Sequence, residues 1–328
     1  MTSGVGLASS AQGYTENMDL IDRYIGSLLG LAAGDALGTT LEFKARGTFT
    51  PITTMLGGGP FGLAPGQWTD DTSMAMCLAE SLVDRGTFDP GDQMRRYVRW
   101  RRQGYWSSRE TCFDIGSTVS QALRRFEQTG DPFAGSTDQY TAGNGSLMRL
   151  APVLLRYART PPEAVRFAAL SSKTTHAVAE AVDACRYYGA LILGALSGEE
   201  KGSLLAPFYT PPGVSWVTTP LVPAIARVAS GSFTQKQEQD IRGSGYVVQT
   251  LEAALWAFYT ADNFRDGALL AVNLGEDADT TGAIYGQLAG AYYGVEGIPE
   301  EWRSVLTRRE DITRLATRLY ELATADRK

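Results

Sequence analysis

An all-α domain with long loops is the fold this sequence predicts, and three observations predict it. Apolar residues recur three or four apart through ten segments, and no segment alternates convincingly as a half-buried strand would. Glycine recurs at every fourth position near both ends of the chain, at Gly26, Gly30, Gly34 and Gly38 and again at Gly282, Gly286, Gly290 and Gly294. That spacing puts each set on one helical face. Each glycine costs a helix about 1 kcal/mol against alanine, so a compensating contact is needed, and close packing of one bare face on the other would supply it.

In chain order, residues 1–17 are small, polar and glycine-rich. They read as a tail, disordered or docked on a partner, ahead of a single domain at 18–328. Helical periodicity then covers 19–36, 71–84, 91–102, 114–128, 162–169, 177–196, 247–259, 264–274, 280–293 and 310–323. Residues 39–67, 130–146 and 197–220 lack periodicity and are rich in Gly, Pro, Thr or Ser. Loops of that length in a compact domain usually carry function.

With 328 residues, 44% of them hydrophobic and 20% charged, the chain has enough apolar material for one large core. A formal charge of -6 leaves no basic footprint for nucleic acid. Cys77, Cys112 and Cys185 are odd in number and far apart, with no C-x-x-C pair, and read as reduced thiols. No run of 18 apolar residues and no signal pattern is present, so the expectation is a cytoplasmic monomer without a membrane span.

Two acidic clusters carry the chemistry. Thr69-Asp70-Asp71 opens the helix that contains Met74, Cys77, Leu78 and Leu82, and Asp277-Ala278-Asp279-Thr280 opens the second glycine-striped helix. Helix capping alone would account for either cluster. If the two glycine faces pack, however, the clusters converge, together with Asp35 and Glu42 beside the first striped helix. Carboxylates a few ångströms apart must take up protons or share a cation. Hydroxyl and carboxylate oxygens without His or Cys select Mg²⁺, Mn²⁺ or Ca²⁺ over zinc, and two clusters suggest two ions.

The segments GDALGTTLEF, GQWTDDTSMA, CFDIGSTV, GNGSLMRLAPV, TTHA, GYVVQTLEAALWAF and GEDADTTGA, in that order, resemble the ADP-ribosylglycohydrolase family, and the arginine-directed members most of all. The resemblance runs from about residue 19 to 294. It implies a compact orthogonal bundle of helices and a binuclear Mg²⁺ or Mn²⁺ centre that grips ribose hydroxyls. There the bond between ADP-ribose and a modified side chain is hydrolysed, and the resemblance implies a cognate ADP-ribosyltransferase as a partner on which residues 1–17 could dock. Carried over by position, the metal ligands would be Thr69, Asp70, Asp71, Asp277, Asp279 and Thr280, with Glu42 beside them.

The remaining motifs each have a functional and a plain reading. Glu42 follows Thr39-Thr40-Leu41 at the start of a long loop; it is either a solvated glutamate or a general base that swings over the metals. Asp114, expected at a helix start, either caps that helix or, as the resemblance implies, holds a departing guanidinium near the scissile bond. Gly143-Asn144-Gly145-Ser146 is either a turn or a cradle for a diphosphate. His176, alone in its residue type, cannot build a zinc site, and the resemblance makes it a phosphate or ribose contact. Tyr246 is either core or an aromatic face for adenine or the target side chain. Thr69 to Asp71, Asp114, His176 and Asp279 all fall at expected helix starts, whose positive ends suit a diphosphate. Two rival functions are an inactive ADP-ribose-binding relative and a metal-dependent phosphoryl hydrolase. The acceptor, whether arginine, serine, a nucleobase or O-acetyl-ADP-ribose, stays open, with arginine the first choice.

Overall fold

The computed structural model describes residues 18–325, so the tail expected at 1–17 lies outside the described residues. Fourteen α-helices follow one another among those residues. The first seven are α1 (Leu20–Gly38), α2 (Asp70–Arg85), α3 (Pro90–Gln103), α4 (Ser117–Thr129), α5 (Ala151–Arg156), α6 (Pro161–Lys173) and α7 (Ala179–Leu196). The others are α8 (Lys201–Leu204), α9 (Pro223–Ala229), α10 (Val247–Thr260), α11 (Phe264–Val272), α12 (Ala278–Tyr293), α13 (Glu300–Arg303) and α14 (Arg309–Ala325). Strand pairing among the described residues is limited to three isolated bridges, among them Gly143 with Tyr246 and Ser136 with His176. The expected all-α class is the one observed.

The fold is centred on α1 and α12, which run antiparallel. Fifteen of the nineteen residues of α1 and fifteen of the sixteen of α12 are buried, so other helices cover these two on all sides. Their glycines meet face to face. A Cβ added at Gly290 would lie 2.5 Å from the Gly26 carbonyl carbon, and one at Gly282 would lie 2.9 Å from that of Gly34. At the end of the pair Gly38 rests on Ala278 and Asp279, where an added Cβ would be 2.5 Å from the Asp279 Cα. Only residues without a side chain permit this approach, which answers the helix cost of the seven glycines inside α1 and α12; the eighth, Gly294, lies just past the end of α12 with φ 71° rather than on its helical face.

Polar side chains fasten the neighbours of this pair. The Arg23 guanidinium donates to the carbonyls of Ala291 and Tyr292 at the end of α12 and of Ala195 near the end of α7. Carbonyls left free by helix geometry thereby gain partners. Gln287 on α12 donates to Leu147 and Met148 and accepts from the Ala151 amide at the start of α5. Asp35 near the end of α1 accepts from the amides of Thr69 and Thr72, so a carboxylate from another helix caps α2. The Asp35 contacts, together with Gly38 resting on Ala278 and Asp279, bring the end of α1, the start of α2 and the start of α12 to one point.

Two expected helix starts fall elsewhere. Helix α4 begins at Ser117 with Gly116 as its cap, and Asp114 sits before it with a left-handed backbone, φ 58°. Helix α7 begins at Ala179, and His176 lies in the turn that joins it to α6. The inward-pointing helix ends are therefore those of α2 and α12, not of α4 and α7.

Candidate active site

A cleft of about 850 Å³ opens where α2 and α12 begin. Glu42, Asp70, Asp114, Asp277, Asp279 and Thr280 line its acidic wall, and Gly143, Asn144, Gly145 and His176 line a glycine-rich side that adjoins it. Asp71 and Thr69 stand directly behind the acidic wall. The Thr69 and Thr280 hydroxyls both donate to Asp71 Oδ2, at 3.3 and 3.4 Å, so a single carboxylate oxygen joins the two clusters.

Glu42 is not on a swinging loop. It follows a short 3₁₀ turn, Thr39–Leu41, is 4% exposed, and its Oε2 accepts from the amides of Ala278 and Asp279 at 2.9 and 3.3 Å. Residues 43 and 44 then pair with Glu276 through two backbone hydrogen bonds, which ties the start of the long loop to the entry of α12. Phe43 and Glu276 adopt φ of 61° and 59°, and Asp114 nearby adopts 58°. Backbone strain of this kind in non-glycine residues gathers at functional sites.

Burial in this wall favours the neutral acids. It raises Asp35 and Asp277 to about 7 and Asp114 to about 11, and the charge of Asp279 or Asp70 adds to each. Glu42, Asp70 and Asp71 are also pushed far above the carboxylate range, chiefly by burial. Among the described residues no Lys or Arg pairs with any of these groups; Arg242 at the rim is engaged by Glu276. Asp71 Oδ1 is buried without a hydrogen-bond partner, and oxygens of Glu42, Asp277 and Asp279 lie within 4.8 Å of one another. An orphaned oxygen in an all-oxygen cluster without a counter-cation is the chemistry of a hard divalent cation site.

The glycine-rich side is equally ordered. Asn144 donates to Asp277 Oδ2 at 2.7 Å and to Thr250, linking the segment to the acidic wall. Ser146 is buried behind it, bonded to Ser172, and does not line the cleft. Tyr246 is 37% exposed beside a second hollow that shares Gly143 and Gly245 with the first, and its hydroxyl donates to Glu180. Phe43, Glu276, Arg242 and the 115–119 segment also line the cleft. Sequence reasoning did not single them out; Glu276 is marked only by its place next to Asp277.

The family model for ADP-ribosylglycohydrolase matches residues 16–328. The chain belongs to the ADP-ribosylglycohydrolase family. It is 44% identical over 303 residues to ADP-ribosylarginine hydrolase Tri1 of Pseudomonas putida (strain GB-1), covering 92% of this chain and 79% of the relative. It is 32% identical over 311 residues to the ADP-ribosyl-[dinitrogen reductase] glycohydrolase of Rhodospirillum rubrum, covering 93% and 98%. A solved structure titled ADP-ribosylglycohydrolase-related protein complex superposes with a TM-score of 0.81 at 47% identity, covering 93% of this chain and 99% of that one. This ADP-ribosylglycohydrolase is thus an enzyme that removes ADP-ribose by hydrolysis, and its all-α fold is that of its relatives. Among the described residues no helix is long and apolar enough to cross a membrane.

Proposed function

We propose that this glycohydrolase cleaves the N-glycosidic bond between ADP-ribose and an arginine side chain of a modified protein, at a centre of two Mg²⁺ or Mn²⁺ ions. The observation that carries the reading is the buried acidic wall, in which, among the described residues, Asp71 Oδ1 has no partner and no basic side chain pairs with the carboxylates. Thr69, Asp70, Asp71, Asp277, Asp279 and Thr280 would hold the ions, with Glu42 next to them. Bound there, the ions would supply Lewis-acid binding of ribose hydroxyls and of water.

The chain's own groups then divide the work. Glu42 is anchored through Oε2, which leaves Oε1 to take a proton from the attacking water. Asp114 lies on the same wall, where a departing guanidinium would offer the charge-assisted hydrogen bonds that keep its carboxylate ionised. Gly143 to Gly145 and His176 line the same cleft and suit the diphosphate, with Tyr246 beside them for adenine or the target side chain. Relatives named as ADP-ribosylarginine hydrolases support arginine as the acceptor.

The test is a panel of arginine-, serine- and nucleobase-linked ADP-ribose assayed with Mg²⁺, Mn²⁺ or chelator. Release of intact ADP-ribose from the arginine conjugate, abolished by chelation, is expected. Full activity in chelator would refute the metal centre, faster cleavage of the serine conjugate would refute the acceptor, and release of AMP would point to phosphoryl chemistry.

A further inference from the structure

Beneath the glycine-rich side of the cleft lies a fully buried cation, Arg149, with no carboxylate paired to it among the described residues. Its Nη1 donates to the Gly145 carbonyl, its Nη2 donates to Thr175 Oγ1 at 2.7 Å, and its guanidinium stands 4.8 Å from the centre of the Tyr97 ring. Thr175 Oγ1 is in turn 2.8 Å from His176 Nδ1. We infer that Arg149 and Thr175 are positioning residues that fix the tautomer of His176, making its Nε2 a permanent hydrogen-bond donor toward the ligand in the cleft.

The argument is one of hydrogen counting. A guanidinium only donates, so a lone pair of the Thr175 hydroxyl is taken by Arg149. The hydroxyl hydrogen then needs an acceptor, and Thr175 is fully buried, so Nδ1 is the acceptor within reach. Were Nδ1 protonated, the hydroxyl would receive two donors and its own hydrogen would be stranded in the interior, a cost of about 1–3 kcal/mol. Burial and the Arg149 charge also hold the imidazole neutral, its pKa lowered to about 3. The ring's one hydrogen is left on Nε2.

Nε2 has no hydrogen-bond partner among the described residues. It faces the gap between two glycines: a Cβ added at Gly143 or at Gly145 would lie 3.3 Å from it. Both residues and the imidazole line the cleft, so the N–H meets whatever lies against the Gly143–Gly145 segment. An acceptor is thereby selected at that point, such as a phosphate or ribose oxygen, and a donor is repelled. This assignment rests on the proposed binding of ADP-ribose along that segment, but the tautomer itself is a property of the free protein.

His176 is the only histidine in the chain, so a ¹⁵N-histidine-labelled sample shows one pair of ring nitrogens. In ligand-free protein at neutral pH, Nε2 is expected to carry the proton and Nδ1 to be bare. Thr175→Val, which keeps the shape and removes the hydroxyl, should mix the tautomers and weaken ADP-ribose roughly tenfold or more, the scale of one hydrogen bond to a charged group. Thr175→Ser should restore both. A proton on Nδ1 in the wild type, or wild-type nitrogens in Thr175→Val, would overturn the relay. The expected tautomers combined with unchanged ADP-ribose affinity in Thr175→Val would uphold the relay and reject the placement of the ligand.

Discussion

Replacing Gly290 by alanine tests the central helix pair. The added Cβ falls about 1 Å inside ordinary carbon–carbon separation from the Gly26 carbonyl carbon, and that obstacle is backbone and cannot rotate away. Overpacking of this kind costs typically 1–3 kcal/mol, and the rigid obstacle places it at about 3. Alanine returns about 1 kcal/mol of helix propensity, for a net loss of about 2. At about 2.1 cal/mol/K per residue over the chain, that lowers Tm by about 3 °C. Gly282→Ala meets a similar obstacle at Gly34, and also the Val272 side chain at 2.8 Å, but lies within a turn of Asp279. It should therefore lose activity beyond what its Tm explains, whereas Gly290→Ala at the far end keeps it. Gly202→Ala, with open space around its Cβ, is the control and should be neutral or slightly stabilising. Calorimetry and turnover on the three variants decide the matter: a Gly290→Ala protein as stable as wild type would refute the close-packing account.

Three further outcomes are expected. The raised carboxyls, Asp35 and Asp277 near 7 and Asp114 near 11, mean that folding takes up protons. Their stabilising effect is complete below about pH 4 and is lost as pH rises through 7 and beyond, so metal-free protein should weaken over that range. Mn²⁺ bound at the proposed site would favour the ionised carboxyls and should raise Tm more at pH 8 than at pH 5, and a shift that is equal at both would count against a carboxylate metal site. Glu42→Gln should lower kcat by 10²-fold or more, the general-base scale, while calorimetric ADP-ribose affinity stays within about threefold; a matching loss of affinity would reassign Glu42 to binding. Asp114→Asn should impair an arginine conjugate more than a serine conjugate, because a guanidinium gains from a carboxylate what a hydroxyl does not, and equal losses would remove Asp114 from the leaving group.

The features legible in the sequence were those that repeat or cluster along it. Glycine at every fourth position declares a bare helical face without reference to any neighbour, and α1 and α12 pair through it. The acidic runs announced the starts of α2 and α12 for the same local reason. What escaped depended on long-range contact or on single backbone angles. Glu42 read as a loop residue because its anchors are 236 and 237 positions away. Asp114 read as a helix cap because nothing local signals its φ of 58°. Helices α5, α9 and α13, of 4 to 7 residues, are too short to show a 3.6-residue period. Arg149 carries no local signal in the sequence, and only its burial beneath the cleft distinguishes it.

The antiparallel pairing of α1 with α12 also sets a schedule for the ribosome. Gly38 leaves the ribosome some 240 residues ahead of Ala278, and at about 5–20 residues per second that interval is roughly ten to fifty seconds. Throughout it the glycine face of α1 has no partner, and Asp70 and Asp71 wait without the acids that complete the wall. No nascent fragment ending before α12 can hold the cleft together, so catalytic competence arrives late and all at once. Contacts of such sequence separation close slowly, so the α1–α12 pairing is among the last contacts the chain can form.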